Sequence, residues 1–286
     1  MSLRLAAIYT TYKPDAGFRS RIEGIVSRCH ATIVVDNTPG SHVFEDASDL
    51  TLLQDGVNKG LGRALNLGIE KARELGCNAA ILFDQDSTPP ASFIDKLKQE
   101  FTQFNSTRIC TGPRLLDDTV QAAPGPDTVE SPARPQEVTC LATSGMLFSL
   151  ENLGPADSFS EAFFLDFVDF DWCWRMRAKG WKLYRLDHVP MPHRLGLAQR
   201  HVLGLTYHVP APYRHYFQFR DTLRLLTLDY VPLYSKFRFG ILLLPKMLVY
   251  PFILDRGVER FKWMARGIVD FFKSVKGVGA AGQKLL

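Results

Sequence analysis

The spacing of apolar and polar positions switches repeatedly between two periods in the first part of the chain. Leu3 to Thr11 is a β-rich apolar run, and Ala31 to Asp36 is a second that stops at the turn-forming Asp36-Asn37-Thr38-Pro39-Gly40. Between them Phe18, Ile22, Ile25 and Val26 fall on one helical face, so the unit predicts strand, helix, strand. Leu50 to Leu53 predicts a short third strand. A glycine-bearing loop follows, and then Leu61, Ala64, Leu65, Gly68, Ile69, Ala72 and Leu75 mark one face of a helix over about Leu61 to Leu75. A fourth strand, Ala79 to Phe83, runs straight into Asp84-Gln85-Asp86-Ser87.

This alternation predicts an α/β fold with a mostly parallel sheet and helices on its faces. Ligands of such sheets collect beyond the carboxyl ends of the strands, and the polar clusters sit there. From Pro113 to Pro135 five prolines and little periodicity predict an exposed connection. Ser144 to Ser149 is apolar after a small-residue turn, and a helix is expected over Asp169 to Lys179, closed by Gly180.

Length and composition add limits. A chain of 286 residues, 46% hydrophobic and 22% charged, buries a sizeable core and is not disordered along most of its length. The net charge of +4 is unevenly spread: Lys236 to Leu286 hold ten Lys/Arg against three Asp/Glu, leaving the remainder slightly acidic. The expected organisation is a catalytic region over 1–230, with halves near 1–115 and 136–230, and a basic helical region over 231–286. Five scattered cysteines without a Cys-x-x-Cys pair, and a start without a signal-like apolar run, predict a reducing, cytoplasmic setting.

Several clusters can carry chemistry. Asp84 and Asp86, two apart in a turn leaving a strand, can share one hard cation that bridges phosphates, or can be a solvated turn or helix cap. Asn58, Gly60, Gly62, Asn66 and Gly68 lie at a loop-to-helix transition where glycine permits close backbone approach and a helix start favours an anion; a plain turn is the competing reading. Phe163 to Arg175 places Asp166, Asp169 and Asp171 among aromatic residues, and a carboxylate at the edge of an apolar pocket gains the proton affinity a general base needs. Asp169 can instead cap its helix, and Asp171 is better read as a partner of Arg175 one turn on. His193 by itself is more readily a packed or solvated side chain than a metal ligand.

Taken in order, five motifs resemble family 2 glycosyltransferases of the GT-A fold, and more narrowly bacterial rhamnosyltransferases that build surface polysaccharides. They are Thr10-Thr11-Tyr12-Lys13-Pro14, Val35-Asp36-Asn37, Asn58-Lys59-Gly60-Leu61-Gly62 with Ala64, Asn66 and Gly68, Asp84-Gln85-Asp86-Ser87, and the aspartate-rich segment before Trp172-Cys173-Trp174-Arg175. The resemblance covers about Leu5 to Leu225. It implies that Thr10 and Tyr12 line the nucleotide pocket, Asp36 meets the pyrimidine base, and Asn58 with the backbone about Gly60 meets ribose or sugar. It also implies that Asp84 and Asp86 hold Mg²⁺ or Mn²⁺ with help from His193, and that Arg220 contacts the diphosphate. Asp169 is the implied general base, with Asp166 the alternative, while Ser144, Gly145 and Trp172 belong to the sugar and acceptor side. Many members carry Glu-Asp where this chain has Val168-Asp169, whereas the Asp166/Asp169 spacing is similar to the rhamnosyltransferase branch.

The resemblance therefore implies inverting transfer from a nucleotide sugar, dTDP-L-rhamnose ahead of a UDP-hexose or UDP-N-acetylhexosamine, to a glycan or lipid-linked glycan. A helix over about Asp255 to Lys276 aligns Val258, Phe261, Ala265, Ile268, Phe272 and Val275 opposite a cationic surface, which suits an anionic membrane on the cytoplasmic face or packing against protein. Phe239 to Leu254 is too short and too interrupted to span a membrane. No nucleic-acid recognition pattern is present, and the early triphosphate loop of a sugar-phosphate nucleotidyltransferase is missing.

Overall fold

The first strand, β1 (Leu5–Thr11), is buried along its whole length, as befits a strand covered by helices on both faces. The structure, a computed structural model, describes residues 3–40, 49–90, 92–117, 134–193, 199–202, 205–208 and 210–274, with backbone alone at 117, 193, 199–202 and 205–208. β1 pairs in parallel with β2 (Ala31–Asp36) on one side and β4 (Ala79–Asp84) on the other, and β3 (Thr51–Gln54) pairs in parallel with β2. Beyond β4 lie β7 (Leu147–Ser149), β5 (Ile109–Asp117), β8 (Lys182–His193) and β6 (Gln136–Val138), giving an eight-stranded sheet of order β3-β2-β1-β4-β7-β5-β8-β6. β7 and β6 run antiparallel to their neighbours, so the sheet is mixed. Strands β9 (Gln199–Val202) and β10 (Leu205–His208) form a separate antiparallel pair.

The proline-rich connection begins later than expected. β5 continues through Pro113 to Asp117, and its register against β8 shifts between Pro113 and Arg114. A register irregularity is where a sheet tolerates a residue without an N–H. The rest of that connection, 118–133, lies outside the described residues.

Helices cover both faces. α1 (Phe18–Val26) and α3 (Phe93–Gln103) pack Phe18, Ile22, Phe93 and Leu97 against Tyr9, Ile81 and Phe83. α2 (Leu61–Glu74) and α4 (Val168–Ala178) cover Ile8, Ala80 and Leu82 from the other side. A Cβ at Gly68 would come within 2.4 Å of Ile8 Cγ2, so glycine there sets how closely α2 sits on the sheet. Trp172 belongs to this core and not to an acceptor loop: it is fully buried, stacks on Phe159 at 5.1 Å, and donates Nε1–H to the Asp157 carbonyl at 2.9 Å. A helical residue so large, one turn into α4 and facing the sheet, has nowhere else to place its ring.

Four further helices follow: α5 (Arg214–Leu226), α6 (Leu233–Ile241), α7 (Leu243–Ile253) and α8 (Gly257–Ser274). α8 docks on α5 through Arg260, Met264, Gly267 and Phe271, not through the expected apolar stripe. Gly267 admits the Tyr216 carbonyl, which a Cβ would meet at 2.5 Å. Arg260 turns inward because its donors are satisfied by the Pro210 carbonyl at 2.7 Å and by Asp255 at 3.0 Å. Val258 and Phe272 of the expected stripe stay exposed, and Val275 lies outside the described residues.

Candidate active site

Three loops meet at the carboxyl edge of the parallel strands. Register places Thr10 beside both Val35 and Asp84, and Thr11 beside Asp36. Asp36 is buried and accepts hydrogen bonds from Thr11 Oγ1 (2.9 Å), Thr38 Oγ1 (2.8 Å) and Gln54 Nε2 (3.0 Å). Thr38 Oγ1 accepts in turn from Lys13 N at 2.7 Å, and Tyr12 N donates to Gln85 Oε1 at 2.7 Å. Arg21 closes the set by donating to the Gln85 carbonyl. Asp36 thus ties β1, β2 and β3 together, and Gln85, which sequence reasoning passed over, ties the loop after β1 to the loop after β4.

The Asn58 to Gly68 motif has a structural job within the chain. Asn58 Oδ1 accepts from Gly60 N at 3.0 Å, closing its own turn. Leu61 N, the first donor of α2, bonds the Phe164 carbonyl at 2.8 Å, and Asn66 exchanges two hydrogen bonds with the backbone of Phe159 at 2.8 and 2.9 Å. The close approach that the glycines permit is to the chain's own 159–164 segment: a Cβ on Gly60 would meet the Phe164 carbonyl at 2.8 Å and one on Gly62 the Ser160 carbonyl at 2.6 Å. Gly60, Leu61 N and Asn66 thus hold the segment that leads to Asp166 and Asp169, and Asn58 closes the turn that places Gly60. Gly60 also has φ of +89°, so Gly60→Ala adds strain and a clash together and should lower stability by about 1–3 kcal/mol, read as a fall in the thermal midpoint. An unchanged midpoint would show that this contact is slack.

A cavity of about 470 Å³ opens between that segment, the end of β4 and the C-terminal helices, and Asp84, Asp166, Asp169, Gln218 and Lys246 all line it. Phe167, just before α4, has φ of +67°, a costly conformation for a bulky residue that brings Asp169 to the wall. Asp169 Oδ1 accepts from Phe170 N at 2.8 Å. Burial pushes its carboxyl up to about 6 against that hydrogen bond, with Asp84 and Asp166 adding like charge. Burial, reinforced by Asp86, pushes Asp84 up to about 7. Asp166 is held by Arg214 Nη2 at 2.5 Å, which leaves Asp169 as the carboxylate better placed to take a proton. Asp171 is buried and accepts from Arg175 at 3.2 Å and from the Tyr230 hydroxyl, the structural role its spacing suggested.

Ser144 and Gly145 sit beside the Asp84 turn: Gly145 N donates to the Leu82 carbonyl at 2.7 Å, and the hydroxyls of Ser144 and Ser87 are 2.5 Å apart. Gly145 has φ of +82°, and a Cβ there would meet Pro113 at 2.6 Å. Arg220 is drawn away from this region, its Nε donating to Asp221 at 2.6 Å and its guanidinium lying over Phe217 and Tyr216, and it does not line the cavity. His193 ends β8 opposite Asp117 of β5; its side chain lies outside the described residues. Among the described residues no three His, Cys, Asp or Glu side chains gather as a ready metal cage. Asp84 and the exposed Asp86, two oxygen donors on one turn, are of the chemistry that could hold one hard cation.

Comparisons with known proteins agree with this architecture. No family model matches the chain. A dTDP-rhamnosyl transferase of Shigella flexneri, RfbF, is 24% identical over 298 residues that span 99% of each chain. Among solved structures, S. aureus TarS 1-349 in complex with UDP superposes with a TM-score of 0.57 at 12% identity, covering 96% of this chain and 81% of that one. GalNAc-T7 with UDP, GalNAc and Mn²⁺ superposes with a TM-score of 0.55 at 12% identity over 84% of this chain, which spans about half of that structure (54%). The chain likewise spans about half (49%) of the longer S. aureus TarS structure, at a TM-score of 0.56. The fold is the GT-A α/β fold.

Proposed function

We propose that this chain, a rhamnosyltransferase-like glycosyltransferase that uses a nucleotide-sugar donor, moves L-rhamnose from dTDP-β-L-rhamnose to a hydroxyl of a lipid-linked glycan with inversion. The observation that carries this reading is the meeting of Asp169 and Asp84 on one cavity wall, with Asp169 pushed up to about 6 by burial. The likeness to RfbF supports the choice of sugar.

In this reading Asp169 accepts the proton of the acceptor hydroxyl. The freed oxygen bonds to the anomeric carbon as the bond from that carbon to the diphosphate oxygen breaks, and the electron pair leaves on the diphosphate. Attack from the face opposite the leaving group inverts the centre. Asp166, fixed by Arg214, adds negative charge beside Asp169 and helps raise its proton affinity. Thr10 and Tyr12 line the nucleotide side, and Ser144 with Gly145 shapes the sugar side of the Asp84 turn. Asp84 and Asp86 would hold Mg²⁺ or Mn²⁺, which supplies charge neutralisation for the departing diphosphate. Residues 1–230 carry the catalytic unit, and the region from 231 walls the acceptor side.

The test is nucleotide release from dTDP-rhamnose as a function of pH. A base must be ionised to act, so activity should climb through pH of about 6 and level off above it. A rate that holds level down to pH of about 4 would place the base in the ordinary carboxylate range and contradict a burial-raised Asp169.

A further inference from the structure

Among the described residues, every exposed large apolar side chain except Val57 lies between Leu233 and Phe272. At roughly 100° per residue, Leu244, Pro245, Leu248, Val249, Phe252 and Ile253 occupy one half of α7, and that half carries no charge. Phe252 is 87% exposed and Leu248 61%. The other half turns inward, with Tyr250 against the His215 ring and Leu243 and Lys246 on the cavity wall. α6 is divided in the same way: Leu233, Tyr234, Phe237 and Ile241 face out, while Phe239 packs on Phe167 and Phe170. Arg238 of α6 and Lys262 and Lys273 of α8 are exposed, and residues 231–274 hold eight Lys/Arg against three Asp/Glu.

We propose that α6 and α7 seat the protein in the interface of an anionic bilayer, with the mouth of the Asp169 cavity against the lipid. At eleven residues α7 cannot cross a membrane, and no helix of the described residues is long and apolar enough to do so, but an apolar half-cylinder in a net-cationic region suits the headgroup boundary. Charge favours lipid over a second copy of the chain. Twofold pairing would bring two net-cationic regions together, whereas anionic headgroups complement them. α8 docks on α5 through its other face, so its expected stripe, exposed at Val258, Phe261 and Phe272, is open to the same interface. Resting on the proposed transfer to a lipid-linked acceptor, the cavity wall made by Leu242, Leu243 and Lys246 lets that acceptor reach Asp169 without leaving the surface.

The test is co-sedimentation of the full chain with vesicles of equimolar phosphatidylglycerol and phosphatidylcholine, and with vesicles of phosphatidylcholine alone. Binding should favour the anionic vesicles, and Leu248→Ser with Phe252→Ser, two exposed positions off the cavity wall, should weaken it at least about tenfold. The thermal midpoint and vesicle-free nucleotide release of that double variant should match the parent, which separates failure of docking from failure of the catalytic reading. Equal sedimentation of parent and variant would overturn the proposal. So would a parent that ignores vesicles but forms a concentration-dependent dimer which the variant loses, because the face then belongs to a second copy.

Discussion

Asp169→Asn should lower turnover by about 10²–10⁴-fold while donor affinity stays near that of the parent. The change keeps the shape of the side chain and its acceptor for Phe170 N, and removes only the ability to take a proton. Its effect on stability carries the opposite sign. Burial raises the Asp169 carboxyl above its unfolded value, so the ionised form is a burden on the folded state: the stability associated with this group is present below the usual carboxylate range and is lost as pH rises through about 6. At pH above 7 the neutral Asn variant should therefore melt at or above the parent. Loss of turnover with a raised or equal midpoint marks a base, while loss of turnover with a lowered midpoint would mark a structural residue. Turnover equal to the parent's would exclude Asp169 altogether.

Asp86→Ala should weaken donor binding in the presence of Mn²⁺ by at least about tenfold and make it insensitive to chelator. Asp86 is exposed, so its removal leaves no buried group unpaired and the fold should persist. Removing it also relieves the like charge on Asp84, whose carboxyl should then titrate at lower pH. Calorimetry settles the matter directly: parent and variant with the same metal-dependent affinity would take Asp86 out of the donor site.

The strands that frame the site were readable because burial on both faces leaves an apolar run, as in Leu5–Thr11 and Ala79–Asp84. β8 was not: its run is broken by the Arg185–Asp187 ion pair and by His188 beside Glu100, polar residues satisfied by partners that no periodicity reveals. The prolines of α7, which argued against a spanning helix, are compatible with a short one. Pro245 falls in the first turn, where the backbone N–H has no acceptor within the helix, and Pro251 falls in the last. At the site, Asp84 and Asp169 stood out as candidates because Asp84 ends an apolar strand and Asp169 lies in an aromatic-rich segment. Their supports did not. Arg214 reaches Asp166 across 48 positions, and Gln85 reaches Tyr12 across 73. The glycines after Asn58 announced a close approach correctly, but sequence alone could not say that the approaching group is the Phe164 carbonyl and not a phosphate. Trp172, placed on the sugar and acceptor side by the resemblance, packs in the core, and nothing in the sequence says which side of α4 it faces.

Transfer from a nucleotide sugar at the Asp84/Asp169 cavity is tested by nucleotide release across a panel of nucleotide sugars with Mn²⁺, Mg²⁺ or chelator. Selective, metal-dependent turnover of dTDP-rhamnose is expected. Preference for a UDP-hexose or UDP-N-acetylhexosamine would keep the fold and the base but contradict the sugar, and no turnover of any nucleotide sugar would contradict transfer itself.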